Sequence, residues 1–285
     1  MKYMTKEWYE TMHNTSLHLL LNTSKKAEVF SEEYFRELYR REEKKWLELQ
    51  KEVSEVRFED VYPEEFYAEC LDGTPLEGAE YEEARKAYFE EREQARASFD
   101  DKPKFDPEQE RKIFKRSLHD NIAVLKKRLP EEILGKVADI RVLALDVASS
   151  EVKKEITRFC KRNEKSVRSA RDAYQKQFRK QFGSNAPSFA EELCLHDCEV
   201  LSCRKKGRDI VLTVDNSGGF TNVNKILMKN CTIIKRDAPL CGAWCLYEEI
   251  YKTGEKYEIH FLMQKNKLID FIVSVDDLEL FREEV

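Results

Sequence analysis

Apolar residues recur every three or four positions through most of the first 182 residues, a spacing typical of amphipathic helices. A helix is predicted from a Ser31 cap to about Val56, and a more polar one over residues 79–98. Between them the stretch GTPLEG, residues 73–78, breaks the pattern. The apolar face of the first helix consists of Phe35, Leu38, Tyr39, Trp46, Leu49 and Val53.

Proline and serine residues mark the start of the next predicted helices. Asp106 before Pro107 combines a capping carboxylate with the residue favoured at the first helical position. Pro130 is predicted to open another helix through residues 131–149, and Ser149 or Ser150 a last long one to about Phe182. The apolar stripes of the first and last of these helices are Phe114, Leu118, Ile122, Leu125 and Leu129, and Val152, Ile156, Phe159, Val167, Tyr174 and Phe178.

After residue 183 the apolar residues alternate with polar ones, which predicts β-strands joined by short turns. A sheet with one apolar face needs a cover, which the helical half or a partner could supply. The predicted strands are 209–215, 225–235, 243–252, 256–263 and 267–275, and the predicted turns are 205–208, 253–255 and 265–267.

The composition also changes at Gly183, since six of the nine glycines and six of the eight cysteines lie at or after it. The predicted fold class is therefore α+β, with a helical N-terminal half followed by a C-terminal antiparallel β-meander. The predicted domains are a helical region over 1–182, a linker over 183–188 and a β domain over 189–285.

The composition excludes several classes of protein. The chain has 285 residues, of which 41% are hydrophobic, enough for a core and too many for a disordered chain. The net charge of −5 gives no global reason to expect nucleic-acid binding. No apolar run approaches the roughly 18 residues of a membrane helix, and no secretory signal is visible. Eight cysteines then indicate reduced thiols and a cytoplasmic location.

Several separated pieces of the chain carry a resemblance to a known family. They are MKYMTKEWYE at the start, DIRVLALDVASSEVKKEITRFC in the middle, and LHDCEV, LTVDNSGGF and WCLYEEIYKTGEKYEIHFL near the end. Together they resemble an uncharacterised bacterial family, domain of unknown function number 4085. The resemblance implies no activity. The C-terminal β region is also weakly similar to bacterial toxin-immunity proteins, through LHD and the meander.

The stretch LCLHDCEV, residues 193–200, raises the question of a metal site, because paired thiolates can converge on zinc. A metal-dependent hydrolase could instead use His196 and Asp197. We favour the start of a β-strand, with buried cysteines and a side-chain-capped turn, because the glycines and histidines that such sites use are too few. No metal or cofactor is expected. The candidate ligands are Cys194, His196, Cys198, Cys241 and Cys245.

Charge is divided unevenly along the chain. Residues 151–182 carry eleven basic and four acidic residues, and residues 28–98 carry eleven basic and twenty-two acidic ones. A basic helix can neutralise phosphates, so weak nucleic-acid binding by the 151–182 helix is one alternative. Charge complementarity within the chain is the better explanation, because few aromatic residues lie among the basic ones.

The aromatic and acidic strand AWCLYEEIYK, residues 243–252, is the best candidate for a binding surface. Strict alternation puts Trp244, Leu246 and Ile250 on one face, with the other face either exposed or covered by the helical half. We predict a non-catalytic cytoplasmic protein that binds another protein, and the similarity of the β region suggests an immunity-like role. One alternative is a metal-binding protein or a metal-dependent hydrolase that uses His196, Asp197 and the cysteines. The other is weak nucleic-acid binding by the 151–182 helix. The predicted surface consists of His196, Asp197, Tyr247, Glu248, Glu249 and Tyr251.

Overall fold

A computed structural model describes residues 1–66, 77–102, 104–183 and 185–282. It confirms the α+β class, with helices through the first half and an antiparallel sheet after them. Most of the stretch 73–78, which was predicted to interrupt the helical pattern, lies outside the described residues. The helices are α1 Lys6–Met12, α2 Glu32–Glu55, α3 Phe58–Val61, α4 Gly78–Asp100, α5 Pro107–Arg128, α6 Glu131–Leu134, α7 Ile140–Leu143, α8 Ser150–Phe182 and α9 Phe189–Glu192.

The strands form one large antiparallel sheet and one short parallel pair. The short pair joins β1 Asn22–Thr23 to β2 Val147–Ala148. The large sheet has the order β10-β5-β4-β3-β7-β8-β9-β6. Its strands are β3 Glu199–Lys206, β4 Asp209–Asp215, β5 Lys225–Lys229, β6 Thr232–Arg236, β7 Trp244–Thr253, β8 Lys256–Gln264, β9 Leu268–Val275 and β10 Asp277–Phe281.

The described chain forms two compact units. One contains residues 20–155, and the other contains residues 1–19 together with 156–285. This division differs from the predicted boundary at residues 183–188. The difference arises because the first residues and most of α8 group with the sheet, although their sequence is helical.

Within residues 20–155, the predicted capping residues begin the helices. The Ser31 hydroxyl accepts a hydrogen bond from the Tyr34 N–H at 3.2 Å, and the Asp106 carboxylate accepts from the N–H groups of Glu108 and Gln109. The single helix predicted over residues 131–149 is wrong. The chain makes the short helices α6 and α7 there, because α6 ends at Gly135 and α7 needs a new cap from Asp139.

In the second unit, strands from both halves of the sheet share one core. Strands β3 and β7 join the two halves of the sheet at a short junction, where Glu199 pairs with Trp244, and residues from both halves contribute to the core. Phe182 at the end of α8 and Phe189 in α9 complete that core, so helices supply part of the predicted cover. The core includes Leu212, Ile226, Met228, Ile259, Phe261, Met263, Ile269 and Phe271.

The prediction of a single strand over residues 225–235 is wrong, because the chain forms two strands there, β5 and β6. Asn230 has a positive φ of 46°, and its N–H donates to the Asp209 carboxylate at 2.8 Å. The turn at Asn230 sends β5 to pair with β4 and β6 to pair with β9. Strand β10 was not among the predicted elements.

Within the described ranges, every helix is too short or too polar to span a lipid bilayer.

A core substitution tests the sheet unit. Leu212 on β4 is fully buried, whereas Leu201 on β3 is about half exposed. We expect Leu212→Ala to lower the free energy of unfolding by about 2–5 kcal/mol, because it leaves a cavity in the shared core. Leu201→Ala is the control and should change it by less than about 0.5 kcal/mol. Equal effects in urea denaturation would contradict the assignment of these two faces.

Candidate functional site

Strand β7 carries an irregularity that decides where its side chains point. Its pairing with β8 shifts register between Cys245 and Tyr247, so Leu246 is an extra residue in a bulge. The bulge moves every later side chain to the opposite face. Cys245 and Ile250 therefore lie in the core, and Trp244 lies outside it. The prediction that Trp244 and Ile250 share a face is wrong for this reason.

Glu249 is a fully buried carboxylate that holds the N-terminal segment to the sheet. It accepts hydrogen bonds from the backbone N–H groups of Lys2, Tyr3 and Met4 at 2.6, 2.9 and 2.5 Å. The Tyr251 hydroxyl donates a fourth at 2.7 Å. Four donors compensate the buried charge, as an isolated carboxylate in such a place would require. We call this arrangement the Glu249 clasp.

The Glu249 clasp corrects the predicted binding surface. Tyr251 is also buried, and the Lys2 ammonium lies 3.9 Å from its ring centroid. Both residues are covered by the first few residues of the same unit, so neither is available at its surface. This face of the strand is therefore covered, which is the second of the two possibilities considered for residues 243–252.

Glu248, the next residue, points to the other face of β7. Its side chain lines a cavity of about 290 Å³ together with Tyr174, Gln175, Phe178, Arg179, Ala190, Leu193 and Ile250. Burial raises the pKa of the Glu248 carboxyl to about 8, so it is mostly protonated at neutral pH. A protonated carboxyl can both donate and accept a hydrogen bond inside this cavity.

One wall of this cavity is formed by the edge of β7 that does not pair with β8. The N–H of Ile250 points away from β8 and donates to the Tyr174 hydroxyl at 2.9 Å. Residues two apart on a strand direct their N–H groups to the same edge, so Glu248 presents its backbone there as well. Burial raises the pKa of Tyr174 to about 12. Helix α8 therefore covers this edge with a neutral hydroxyl and leaves a cavity beside Glu248.

His196 and Asp197 form a turn that is hydrogen-bonded to the bulge of β7. The Asp197 N–H donates to the Cys245 carbonyl, and the Cys245 N–H donates to the Cys198 carbonyl, both at 2.9 Å. Asp197 has a φ of +63°, a conformation that aspartate and asparagine adopt more readily than most residues. Strand β3 begins two residues later, which confirms the interpretation of LCLHDCEV as a turn leading into a strand.

The hydrogen bonds of His196 fix the orientation of its ring. Its Nδ1 lies 2.5 Å from the Leu246 carbonyl oxygen, so Nδ1 carries the proton and donates. The other nitrogen, Nε2, lies 3.6 Å from the Asp197 carboxylate. The backbone thus holds the imidazole at the surface, with a carboxylate beside its free nitrogen.

The loop NSGGF, residues 216–220, packs directly on this turn. A Cβ atom at Gly219 would lie 2.5 Å from the Cys198 sulfur and 3.0 Å from the His196 carbonyl oxygen, so only glycine fits without movement. The close approach places Phe220 over His196, with ring centroids 6.3 Å apart and planes at 18°. Phe220 is 80% exposed.

Aromatic residues continue from His196 towards the N-terminal helix α1. The Tyr247 ring centroid lies 5.2 Å from His196 and 5.0 Å from Trp8, and Tyr9 follows at 6.3 Å from Tyr247. Burial raises the pKa of the Tyr9 hydroxyl, and the charge of Asp197 raises it further. We define the His196 surface as Tyr9, His196, Asp197, Phe220, Trp244 and Tyr247.

The His196 surface contains three of the six predicted residues and three others. Tyr9, Phe220 and Trp244 were not predicted as part of it. Each lies in a stretch that stands out in the sequence: Tyr9 in the aromatic start of the chain, Phe220 after two glycines, and Trp244 in the aromatic strand. Only the fold shows that these three stretches meet. Glu248 points to the other face of β7, and Glu249 is covered by the N-terminal segment, so neither belongs to this surface.

The predicted cysteine ligands differ in their exposure to solvent. Burial raises the pKa of Cys198 to about 11 and also raises that of Cys245. Cys194 and Cys241 are exposed. In the part of the chain that the structure describes, no three histidine, cysteine, aspartate or glutamate side chains converge in a way that could hold a metal ion.

Comparison with known proteins agrees with the resemblance in the sequence. Residues 104–271, more than half of the chain, match a family described as protein of unknown function DUF4085. The chain belongs to this family. The DUF4085 match covers α5, α8 and most of the sheet, including the His196 surface from His196 to Tyr247. No curated protein and no solved structure matches the chain.

The Glu249 clasp can be tested by one substitution. Glu249→Gln leaves a single acceptor oxygen and places an amide N–H₂ against donors. We expect the free energy of unfolding to fall by at least about 3 kcal/mol, because hydrogen bonds to a charged group contribute about 1.5–3 kcal/mol each. Truncation of the first four residues should cost a similar amount, and the two changes together should cost no more than one alone. Additive losses in chemical denaturation would contradict the clasp.

The same substitution at the neighbouring position, Glu248→Gln, is the control for Glu249→Gln and also tests the raised pKa of Glu248. Between the ordinary carboxyl pKa of about 4.3 and the folded pKa of about 8, the folded protein keeps a proton that the unfolded chain releases. Stability from this carboxyl is complete below the lower value and is lost as the pH rises through 8. We expect the variant to match the wild type at pH 5 and to exceed it in stability at pH 9. Parallel stability curves from pH 5 to 9 would be inconsistent with the raised pKa.

Proposed function

We propose that this DUF4085 protein is a non-catalytic binding protein of the bacterial cytoplasm that recognises another protein through the His196 surface. The observation that carries the proposal is the exposed ring of Phe220, which stacks on His196 beside the 45%-exposed Trp244. Large aromatic side chains held rigidly at a surface are the residues that most often dominate the energy of protein interfaces.

The rigidity of this surface supports the proposal. The turn at Asp197 is held by two backbone hydrogen bonds to Cys245, and Gly219 fixes the loop that presents Phe220. A preorganised surface pays little conformational entropy on binding, so more of the contact energy appears as affinity.

The charge of the His196 surface indicates the chemistry of the partner. The Asp197 carboxylate is about half exposed and lies near the rings of Tyr9 and Tyr247. A lysine or arginine side chain of a partner could pair with this carboxylate and lie over the aromatic rings. We therefore infer a partner with a basic patch, and a toxin held by an immunity-like protein is one such class.

The cytoplasmic location is part of the same proposal. The seven cysteines among the described residues are free thiols, the state that a reducing compartment maintains.

The partner can be captured through the exposed ring itself. A photo-crosslinking phenylalanine at position 220 should give a cross-linked protein in cells of the natural host. The same group at Leu49, an exposed apolar residue on α2, is the control. Identical cross-links from both positions would show non-specific contact and count against the proposal.

With the captured partner purified, two substitutions test the interface. Phe220→Ala removes the exposed ring, and Asp197→Asn removes the charge with a residue that tolerates the positive φ. Each should weaken binding at least tenfold by calorimetry, and Leu49→Ala should not change it. The wild-type affinity should also fall as salt rises from 50 to 300 mM, because salt screens the Asp197 charge. Wild-type affinity in both variants would refute the proposed surface.

A further inference from the structure

A groove within residues 20–155 combines an apolar floor with a positive rim. It has a volume of about 360 Å³, within the range of small-molecule sites. Helices α2 and α5 form its walls, with contributing residues one turn apart on each, and α7 closes one end through Arg141. We call it the α2–α5 groove. Its lining residues are Phe35, Arg36, Tyr39, Arg40, Lys115, Leu118, His119, Ile122 and Arg141.

The floor of the groove is aromatic and aliphatic. The rings of Phe35 and Tyr39 lie one turn apart on α2, with centroids separated by 5.9 Å. Leu118 and Ile122 stand one turn apart on α5. These side chains leave an apolar surface between the helices that a flat hydrophobic body could cover.

Arg141 and Arg36 are structural members of the rim. Asp139 binds the Arg141 guanidinium through three hydrogen bonds of 2.7–3.2 Å, and Glu32 accepts from both arginines. The Arg141 guanidinium also lies 4.1 Å from the centroid of the Phe35 ring. These contacts balance both charges and hold the end of the groove in shape.

Arg40 and Lys115 differ from these two arginines. Both are exposed, and neither forms an ion pair or a hydrogen bond with any other residue that the structure describes. They lie on opposite walls, Arg40 one turn after Arg36 on α2 and Lys115 one turn before His119 on α5. Above its apolar floor the groove thus has two cations that form no ion pair with the part of the chain that the structure describes.

We propose that the α2–α5 groove binds an amphipathic aromatic anion. The apolar rings of the ligand lie on Phe35, Tyr39, Leu118 and Ile122. Its carboxylate, sulfonate or phosphate lies between Arg40 and Lys115, where both side chains can donate charge-assisted hydrogen bonds. This site is separate from the His196 surface, so each proposal can fail without the other.

The probe for this site is 8-anilinonaphthalene-1-sulfonate, an aromatic anion whose fluorescence rises in apolar surroundings. The full-length protein should bind it at one saturable site, and the double variant Arg40→Glu with Lys115→Glu should bind it at least tenfold more weakly. The control is Lys161→Glu with Lys165→Glu on α8, which makes the same change in net charge and should retain wild-type affinity. The uncharged analogue N-phenyl-1-naphthylamine should bind at least tenfold more weakly than the sulfonate.

Several results would overturn the proposal. These are no saturable binding, equal binding by the two double variants, equal binding of the uncharged analogue, or loss of binding in Phe220→Ala, which would place the probe on the other surface. If circular dichroism shows that the glutamate variant is unfolded, the pair Arg40→Gln with Lys115→Gln replaces it, with an expected loss of at least threefold. Wild-type affinity in that folded pair would equally reject the site.

Discussion

The bulge in strand β7 determines which face of the sheet each later side chain of that strand reaches. One extra residue at Leu246 exchanges the two faces of the strand, and this decides which of the consecutive glutamates reaches which face. Glu248 reaches a cavity and keeps its proton at neutral pH, whereas Glu249 accepts hydrogen bonds from four donors. The bulge also exposes its backbone to the His196 turn, since the carbonyl groups of Cys245 and Leu246 accept from that turn.

Much of the fold was predictable because its determinants are local. Capping residues such as Ser31 and Asp106 act within a few positions of the chain, and alternating apolar residues mark strands directly. The failures occurred where a cap or a turn interrupts an apolar pattern. Residues 131–149 have helical periodicity but are divided by the Asp139 cap, and the apolar run over 225–235 conceals a turn at Asn230.

The candidate site was predictable in part for the same reason. His196 and Asp197 were identified because their chemistry is visible in a short motif. Phe220 lies 24 positions away, and its stacking on His196 depends on the close approach of Gly219 to Cys198, which no local pattern reports. The burial of Glu249 was equally hidden, because it depends on residues at the other end of the chain.

The Glu249 clasp also has a consequence for the order of folding. It joins Met4 to a residue 245 positions later, one of the longest connections that a chain of this size allows. Closing so long a loop costs conformational entropy before any contact compensates it. During synthesis, residues 2–4 leave the ribosome about 245 positions before their acceptor does. These three backbone N–H groups therefore have no Glu249 to bind until that residue appears, and the segment is among the last parts of its unit to be fixed in place.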